Sequence, residues 1–276
     1  MDARTLGWES PTEFSGKHHR MRLHCRPPAQ AGATTLLALH GFTGGGLDFA
    51  LPAAMDQGRY AWIAPDLPGH GNTPTLSLDA WLADLGSWLR SDAPPNPVLL
   101  GYSMGGRIAL HAGLRFPDLF AKVIVIGANP GIQDPELREQ RRHADLQRAN
   151  RLRQHGVELF LREWRQEPLI ATQNRIASPW REQLDRIRSK HHAEGLANAL
   201  LTYGPTEIPL PCPPGFRFPK PLWFLAGAED PRYCALGRRL HEDRFCHGFA
   251  VVPDAGHAAH LENPAGFLSQ LMHMLA

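Results

Sequence analysis

The chain has 276 residues, 43% of them hydrophobic and 20% charged, and its formal net charge is +2. That length carries one sizeable core, or one core with a small inserted lobe. A charge so near zero argues against a nucleic-acid binder or a membrane-surface protein. The four cysteines, Cys25, Cys212, Cys234 and Cys246, form no C-x-x-C pair, which removes zinc-ribbon and thioredoxin readings and makes reduced thiols in a cytosolic protein the simplest one. Met1-Asp2-Ala3-Arg4 runs into polar residues with no apolar leader, and no stretch approaches 18 apolar residues. The expectation is a soluble, cytoplasmic protein.

Short apolar runs bounded by turn residues then recur along the chain. Thr34–His40 and Tyr60–Pro65 read as buried strands, the second ending in the turn Asp66-Leu67-Pro68-Gly69-His70-Gly71. Leu78–Leu89 places Leu78, Trp81, Leu82, Leu85, Trp88 and Leu89 at helical spacing. Pro97–Tyr102 reads as a strand, Met104–Leu114 as a helix and Lys122–Gly127 as a strand. Leu222–Ala226 and Phe249–Val252 are two more strands, and Phe267–Leu275 closes the chain as a helix. Strands alternating with helices predict an α/β fold with a mostly parallel sheet covered on both faces.

Residues 128–214 break this rhythm. They hold no convincing strand, are rich in Arg, Glu and Gln, and space Leu152, Val157, Leu159, Phe160 and Trp164 as a helix would. A proline-rich run, Pro209–Pro221, follows. The expected division is a core in two parts, 1–127 and 215–276, with a helical lid, 128–214, inserted between them.

Gly101-Tyr102-Ser103-Met104-Gly105 matches G-x-S-x-G between a predicted strand and a predicted helix. In that setting the motif is a nucleophile elbow, a sharp turn that exposes the serine hydroxyl at the carboxyl end of the sheet. A plain helix N-cap serine is the bland alternative. A serine hydroxyl needs a histidine to take its proton and a carboxylate to hold that histidine, and in this fold they follow in the order Ser, Asp or Glu, His. Asp230 stands three residues beyond Gly227 at the end of a predicted strand, with Glu229 as its neighbouring competitor. His257, in the turn before the last helix, is the candidate base among 15 histidines, with His260 as its rival. The loop His40-Gly41-Phe42-Thr43-Gly44-Gly45-Gly46 can aim a backbone N–H at the reacting centre, so the amides of Phe42 and Met104 are the candidate oxyanion hole. A phosphate-binding loop is the alternative, but no Lys-Ser/Thr follows, which excludes Walker A.

Arg107 lies four residues after Ser103, on nearly the same helix face, where its guanidinium can reach the cleft. Arg138, Arg141 and Arg142 share one face of a predicted lid helix, and Arg188 sits on a later one. Guanidinium groups bind carboxylates bidentately, so the set suits a substrate with several carboxylates. A solvated helix laced with ion pairs is the alternative, since Arg141 and Asp145 stand at i, i+4.

The stretches LHGFTGGG (Leu39–Gly46), DLPGHG (Asp66–Gly71), GYSMGGR (Gly101–Arg107), NPGIQDPELREQRRHAD (Asn129–Asp145), LDRIRSK (Leu184–Lys190) and GHAAHLENPAG (Gly256–Gly266), with Trp164 five residues before Leu169, carry a resemblance. The chain resembles the 2-succinyl-6-hydroxy-2,4-cyclohexadiene-1-carboxylate synthases of menaquinone biosynthesis, members of the α/β-hydrolase superfamily. The resemblance implies an α/β-hydrolase fold and a carbon–oxygen lyase. Such an enzyme eliminates pyruvate from 2-succinyl-5-enolpyruvyl-6-hydroxy-3-cyclohexene-1-carboxylate, with the triad serine acting as base. It also implies that Arg107, Arg141 and Arg188 hold substrate carboxylates, that Tyr102 and Trp164 line the pocket, and that Arg138 belongs to the same motif. Arg232 stands where a lysine is expected.

A serine hydrolase on the same scaffold, a carboxylesterase or a carbon–carbon bond hydrolase, is the alternative. A binding protein that merely keeps the fold ranks behind both, because all three triad positions are filled. No metal or organic cofactor is called for, since no H-E-x-x-H or similar spacing occurs. The expected partner is a small multi-carboxylate substrate, with neither nucleic acid nor membrane, and the expected assembly is a monomer or small homo-oligomer.

Overall fold

A computed structural model describes residues 3–210 and 215–276. Met1, Asp2, Cys212 and the expected lid boundary at Pro214 lie outside the described residues. Eight strands form one sheet: β1 (Thr12–Ser15), β2 (Arg20–Arg26), β3 (Thr35–Leu39), β4 (Ala61–Pro65), β5 (Val98–Tyr102), β6 (Lys122–Ile126), β7 (Leu222–Gly227) and β8 (Gly248–Val252). Their order is β1-β2-β4-β3-β5-β6-β7-β8. β2 runs antiparallel to both β1 and β4, and every pairing from β4 through β8 is parallel.

The helices are α1 (Ala50–Met55), α2 (Leu78–Ser91), α3 (Met104–Arg115), α4 (Pro135–Trp164), α5 (Trp180–Arg188), α6 (Ala193–Tyr203), α7 (Pro231–Glu242), α8 (Ala259–Glu262) and α9 (Pro264–Leu275). Strand residues point alternately to the two sheet faces, and the buried ones divide accordingly. Leu37, Leu39, Leu99, Val123 and Val125 pack against α2, α3 and α7 on one face. Leu36, Ala38, Leu100, Ile124 and Ile126 pack against α1 and α9 on the other. The expected strands and helices are therefore present, with ends shifted by a few residues. The sequence reading placed no element before Thr34, and it did not name α1 or α7. β1 escapes an apolar-run criterion because its residues are mostly exposed, and β2 because Arg20, Met21, Arg22 and Leu23 alternate between exposed and buried.

Between β6 and β7 the described residues form no strand. α4 and α6 pack through their own apolar cluster of Ala149, Leu152, Phe160, Leu196, Ala197 and Leu200. α4 breaks at Gly156, whose φ of 76° only glycine adopts readily. The break turns Phe160 and Trp164 toward the end of the sheet, where Phe42 meets both rings. Among the described residues no helix is long and apolar enough to cross a membrane.

The turn of the edge hairpin is pinned to α2 by one carboxylate. Asp84 of α2 is buried and accepts from the amides of His18 and His19, and from the His19 ring at 2.7 Å. Removing an acceptor strands these donors away from water. The Asp84→Ala variant should therefore lose about 2–3 kcal/mol of unfolding free energy in urea titration, and an unchanged midpoint would exclude this anchoring role.

Candidate active site

β5 ends in Tyr102 and α3 begins at Met104, so a single residue turns the chain. That residue is Ser103, at φ 52° and ψ −109°, a region costly for any residue with a side chain. Its amide donates to Ile126 O of β6 at 2.8 Å, which braces the turn. The turn works only if α3 can press onto the sheet. A Cβ at Gly105 would lie 2.3 Å from the carbonyl oxygens of Leu39 and His40.

The His257 Nε2 atom lies 3.0 Å from Ser103 Oγ, and its Nδ1 lies 2.8 Å from Asp230 Oδ2. Asp230 caps α7, accepting from Tyr233 N through its other oxygen at 3.1 Å. Its carboxylate is thus acceptor-only on both oxygens, so His257 carries its proton on Nδ1 and presents a bare Nε2 to the serine. Asp230 and His257 are buried, and Ser103 opens into a cleft. Glu229, the competing acid, instead pairs with Arg175 at the surface. His260, the competing base, is wholly buried against Phe49 and Tyr102 without reaching the serine.

Phe42, Tyr102, Met104, Arg107, Arg141 and Trp164 all line the cleft with Ser103 and His257. Arg107 is 5% exposed, donates Nη1 to Tyr203 O at 3.1 Å, and has no partner for Nε. Burial pulls its pKa down to about 10, with Tyr233 acting upward and Arg141 downward, so it stays charged at neutral pH. A buried cation with an unfilled donor favours an incoming anion. Arg141 lines the cleft and also donates to Asp145 at 2.7 Å, the i, i+4 pair that the sequence offers.

Arg188 does not line this cleft. It hydrogen-bonds Gln173 Oε1 at 2.8 Å and borders an adjoining cavity with Arg165 and Arg181; Ile170 lines both spaces. Arg138 donates to the backbone oxygens of Ile132 and Gln133, and Arg142 pairs with Glu139 and Glu207. Neither lines the cleft.

Arg232 was not singled out as a ligand group, yet it lines the cleft and makes no ion pair among the described residues. It occupies the first turn of α7, where the helix dipole disfavours a cation. A basic residue two positions beyond the candidate acid, at the wrong helix end for its charge, was the available signal.

Three neutral histidines build the loop around Phe42. Leu67 N donates to His40 Nε2 at 2.9 Å, Thr43 N to His70 Nε2 at 3.2 Å, and Gly71 N to His191 Nδ1 at 2.8 Å. The opposite ring nitrogens donate to Gly41 O, Pro68 O and Thr43 O. A backbone N–H can only donate, so each accepting nitrogen is unprotonated. Thr43, at φ 65°, is thereby gripped through both its N–H and its C=O.

The geometry so far is that of an α/β-hydrolase: a parallel sheet, a serine on a strained elbow, and a Ser-His-Asp relay at the carboxyl ends of the strands. A model of the alpha/beta hydrolase family matches residues 36–270. The 2-succinyl-6-hydroxy-2,4-cyclohexadiene-1-carboxylate synthase of Escherichia coli O1:K1 / APEC is 32% identical over 264 residues, covering 93% of this chain and 98% of the relative. The synthase of the same name from Salmonella heidelberg (strain SL476) is 31% identical over 92% of this chain and 99% of its own. This chain belongs to that synthase family within the α/β-hydrolases. Among solved structures, MenH from S. aureus superposes with a TM-score of 0.84 at 25% identity, over 92% of this chain and 97% of its own. Potato epoxide hydrolase I, at 17% identity and a TM-score of 0.77, covers 97% of this chain and 99% of its own, and shares the fold.

Burial holds His40 at about 4 and His260 at about 3, and pushes His70 and His191 below the ordinary 6.5. The unfolded chain takes up protons near 6.5 that the folded chain refuses, so stability falls as pH drops from about 6.5 toward 4. Asp48, raised by burial to about 6, works in the opposite direction but is one group against four. The urea midpoint should fall clearly between pH 7.5 and 4.5, and a flat profile would contradict the neutral-histidine framework.

Proposed function

We propose that this enzyme eliminates pyruvate from 2-succinyl-5-enolpyruvyl-6-hydroxy-3-cyclohexene-1-carboxylate, giving 2-succinyl-6-hydroxy-2,4-cyclohexadiene-1-carboxylate in menaquinone biosynthesis. The observation that carries the reading is the cleft in which the Ser103–His257–Asp230 relay faces the unfilled Arg107 guanidinium. Family membership supplies the substrate class. A simple esterase would gain nothing from Arg107 beside its acyl site, since a buried charge without a counter-ion is costly.

In this reading His257 Nε2 draws the proton from Ser103 Oγ. The serine oxygen then takes the proton from the ring carbon that bears the succinyl group. The electron pair passes to the succinyl carbonyl oxygen, to which the Phe42 and Met104 amides donate hydrogen bonds. The carbonyl reforms as the pair moves into the ring, the double bonds shift to the conjugated diene, and the ring carbon–oxygen bond to enolpyruvate breaks. The imidazolium returns its proton to the leaving group, which becomes pyruvate. Ser103 ends with the substrate's proton in place of its own, and no acyl-enzyme forms.

Arg107, Arg141 and Arg232 are assigned to the substrate's carboxylates, Tyr102 and Trp164 to the cleft walls, and Arg188 to a ligand that extends past Ile170. The insertion acts as a lid. Cytoplasmic location, a monomeric or small homo-oligomeric state, and the absence of nucleic-acid and membrane partners belong to the same proposal.

Purified protein given the freshly made substrate should release pyruvate and form diene in equal amounts, read by a lactate dehydrogenase couple and by ultraviolet absorbance. The Ser103→Ala variant should lose about 10²–10⁴-fold in kcat. Folded wild-type protein no faster than spontaneous elimination would sink the assignment. The Arg107→Ala variant should lose about 10- to 100-fold in kcat/KM through a lost charge-assisted bond, and normal kinetics would remove this arginine from the carboxylate set.

A further inference from the structure

His257 sits on the loop between β8 and α8, and one carboxylate brackets it. Glu262 Oε2 accepts from Gly256 N at 2.8 Å, and Oε1 accepts from Ala258 N at 3.0 Å. The amides on either side of His257 therefore end on the same side chain, which is 2% exposed. A buried carboxylate is costly unless its lone pairs are filled. Here the remaining partners come from the insertion: Thr172 Oγ1 donates to Oε1 at 3.1 Å, and Arg175 Nη2 stands 3.6 Å from Oε2. No side chain fits at Gly256, because a Cβ there would lie 2.2 Å from Thr172 Oγ1 and 2.9 Å from Glu262 Oε2.

Arg175 also forms a two-pronged pair with Glu229 at 3.1 and 2.6 Å, directly before Asp230. The single 3₁₀ turn Ala171–Arg175 thus docks on both loops that carry the relay. Leu169 and Ile170, immediately before that turn, line the cleft.

We propose that Glu262 is a positioning residue for His257 and that the turn Ala171–Arg175 completes its setting, so that seating the insertion over the cleft and aligning the imidazole are one event. Glu262 touches no reacting atom. It acts by fixing the amides of the residues before and after the base. The proposal rests on the Ser103–His257 relay and is independent of which substrate the cleft accepts.

The Glu262→Gln variant tests it. Glutamine offers one acceptor oxygen where two amides need acceptors, and its NH₂ would face the second amide. Displacing a catalytic group by about an ångström costs on the order of 10²-fold in rate. Ser103 labelling by a fluorophosphonate probe should therefore slow by about 10²-fold, and the low-field proton resonance of His257 Nδ1 should shift or broaden. In the elimination assay kcat should fall while KM holds.

A Thr172→Val variant keeps both amide bonds and loses only the contact from the insertion. It should label roughly 3-fold more slowly, as one lost hydrogen bond implies. Wild-type labelling with an unmoved resonance in folded Glu262→Gln would overturn the positioning role. Wild-type labelling in Thr172→Val would overturn the coupling to the insertion, and with it the proposal as stated, even should Glu262→Gln not fold. Normal labelling without pyruvate release would strike the lyase reading alone, whereas wild-type protein inert to the probe would remove the serine relay and this proposal with it.

Discussion

A strand that must give way to a helix within one residue sets the terms for everything around it. Ser103 holds φ 52° and ψ −109°, a backbone state that costs about 1–3 kcal/mol. It persists because β5 is completely buried and because Ile108, Ala109, Leu110 and Ala112 of α3 are sealed into the sheet's core. Gly105 lets the helix approach the end of β3 so closely that its backbone meets Leu39 and His40. The elbow therefore brings the glycine-rich loop, the first turn of α3 and the hydroxyl together. Arg107 follows one helical turn later, carried into the cleft by the same geometry.

Around that elbow, neutral and charged groups have different tasks. The imidazoles of His40, His70 and His191 are kept uncharged by burial and by the amides they accept from, and they hold backbone. The guanidiniums of Arg107, Arg141 and Arg232 face the cleft. Mixing the two would fail: a protonated His191 would oppose the Gly71 amide, and a neutral group at 107 would give an anion nothing to meet. His191 lies three residues beyond Arg188, so the same short segment ties the insertion to the loop that carries Phe42.

One fold serves many chemistries, so the function resides in the side chains at the strand ends and not in the sheet. What separates this cleft from a generic serine hydrolase is the set of cations brought to it by three elements. Arg107 comes from the elbow helix, Arg141 from the insertion and Arg232 from the helix capped by Asp230. None of these positions is set by the others' local sequence, so the clustering is a product of the fold.

Local sequence determined those features whose physical cause is local. The apolar runs of β3, β5, β6 and β7 are legible because strands buried on both faces need continuous hydrophobic residues. The elbow is legible because the turn needs its glycines at fixed offsets. Asp230 and His257 are legible because each follows a strand in the chain order that this fold imposes. Tertiary structure alone decided the rest. Arg188 and Arg107 look alike as helix arginines, yet one meets the cleft and the other lies behind Ile170. Glu262 and Arg175 are 87 residues apart in sequence and meet only because the insertion folds back across the sheet. Hydrophobic periodicity reports which face of an element is buried, but not which neighbour covers it, and a charged side chain's partner is set by that neighbour.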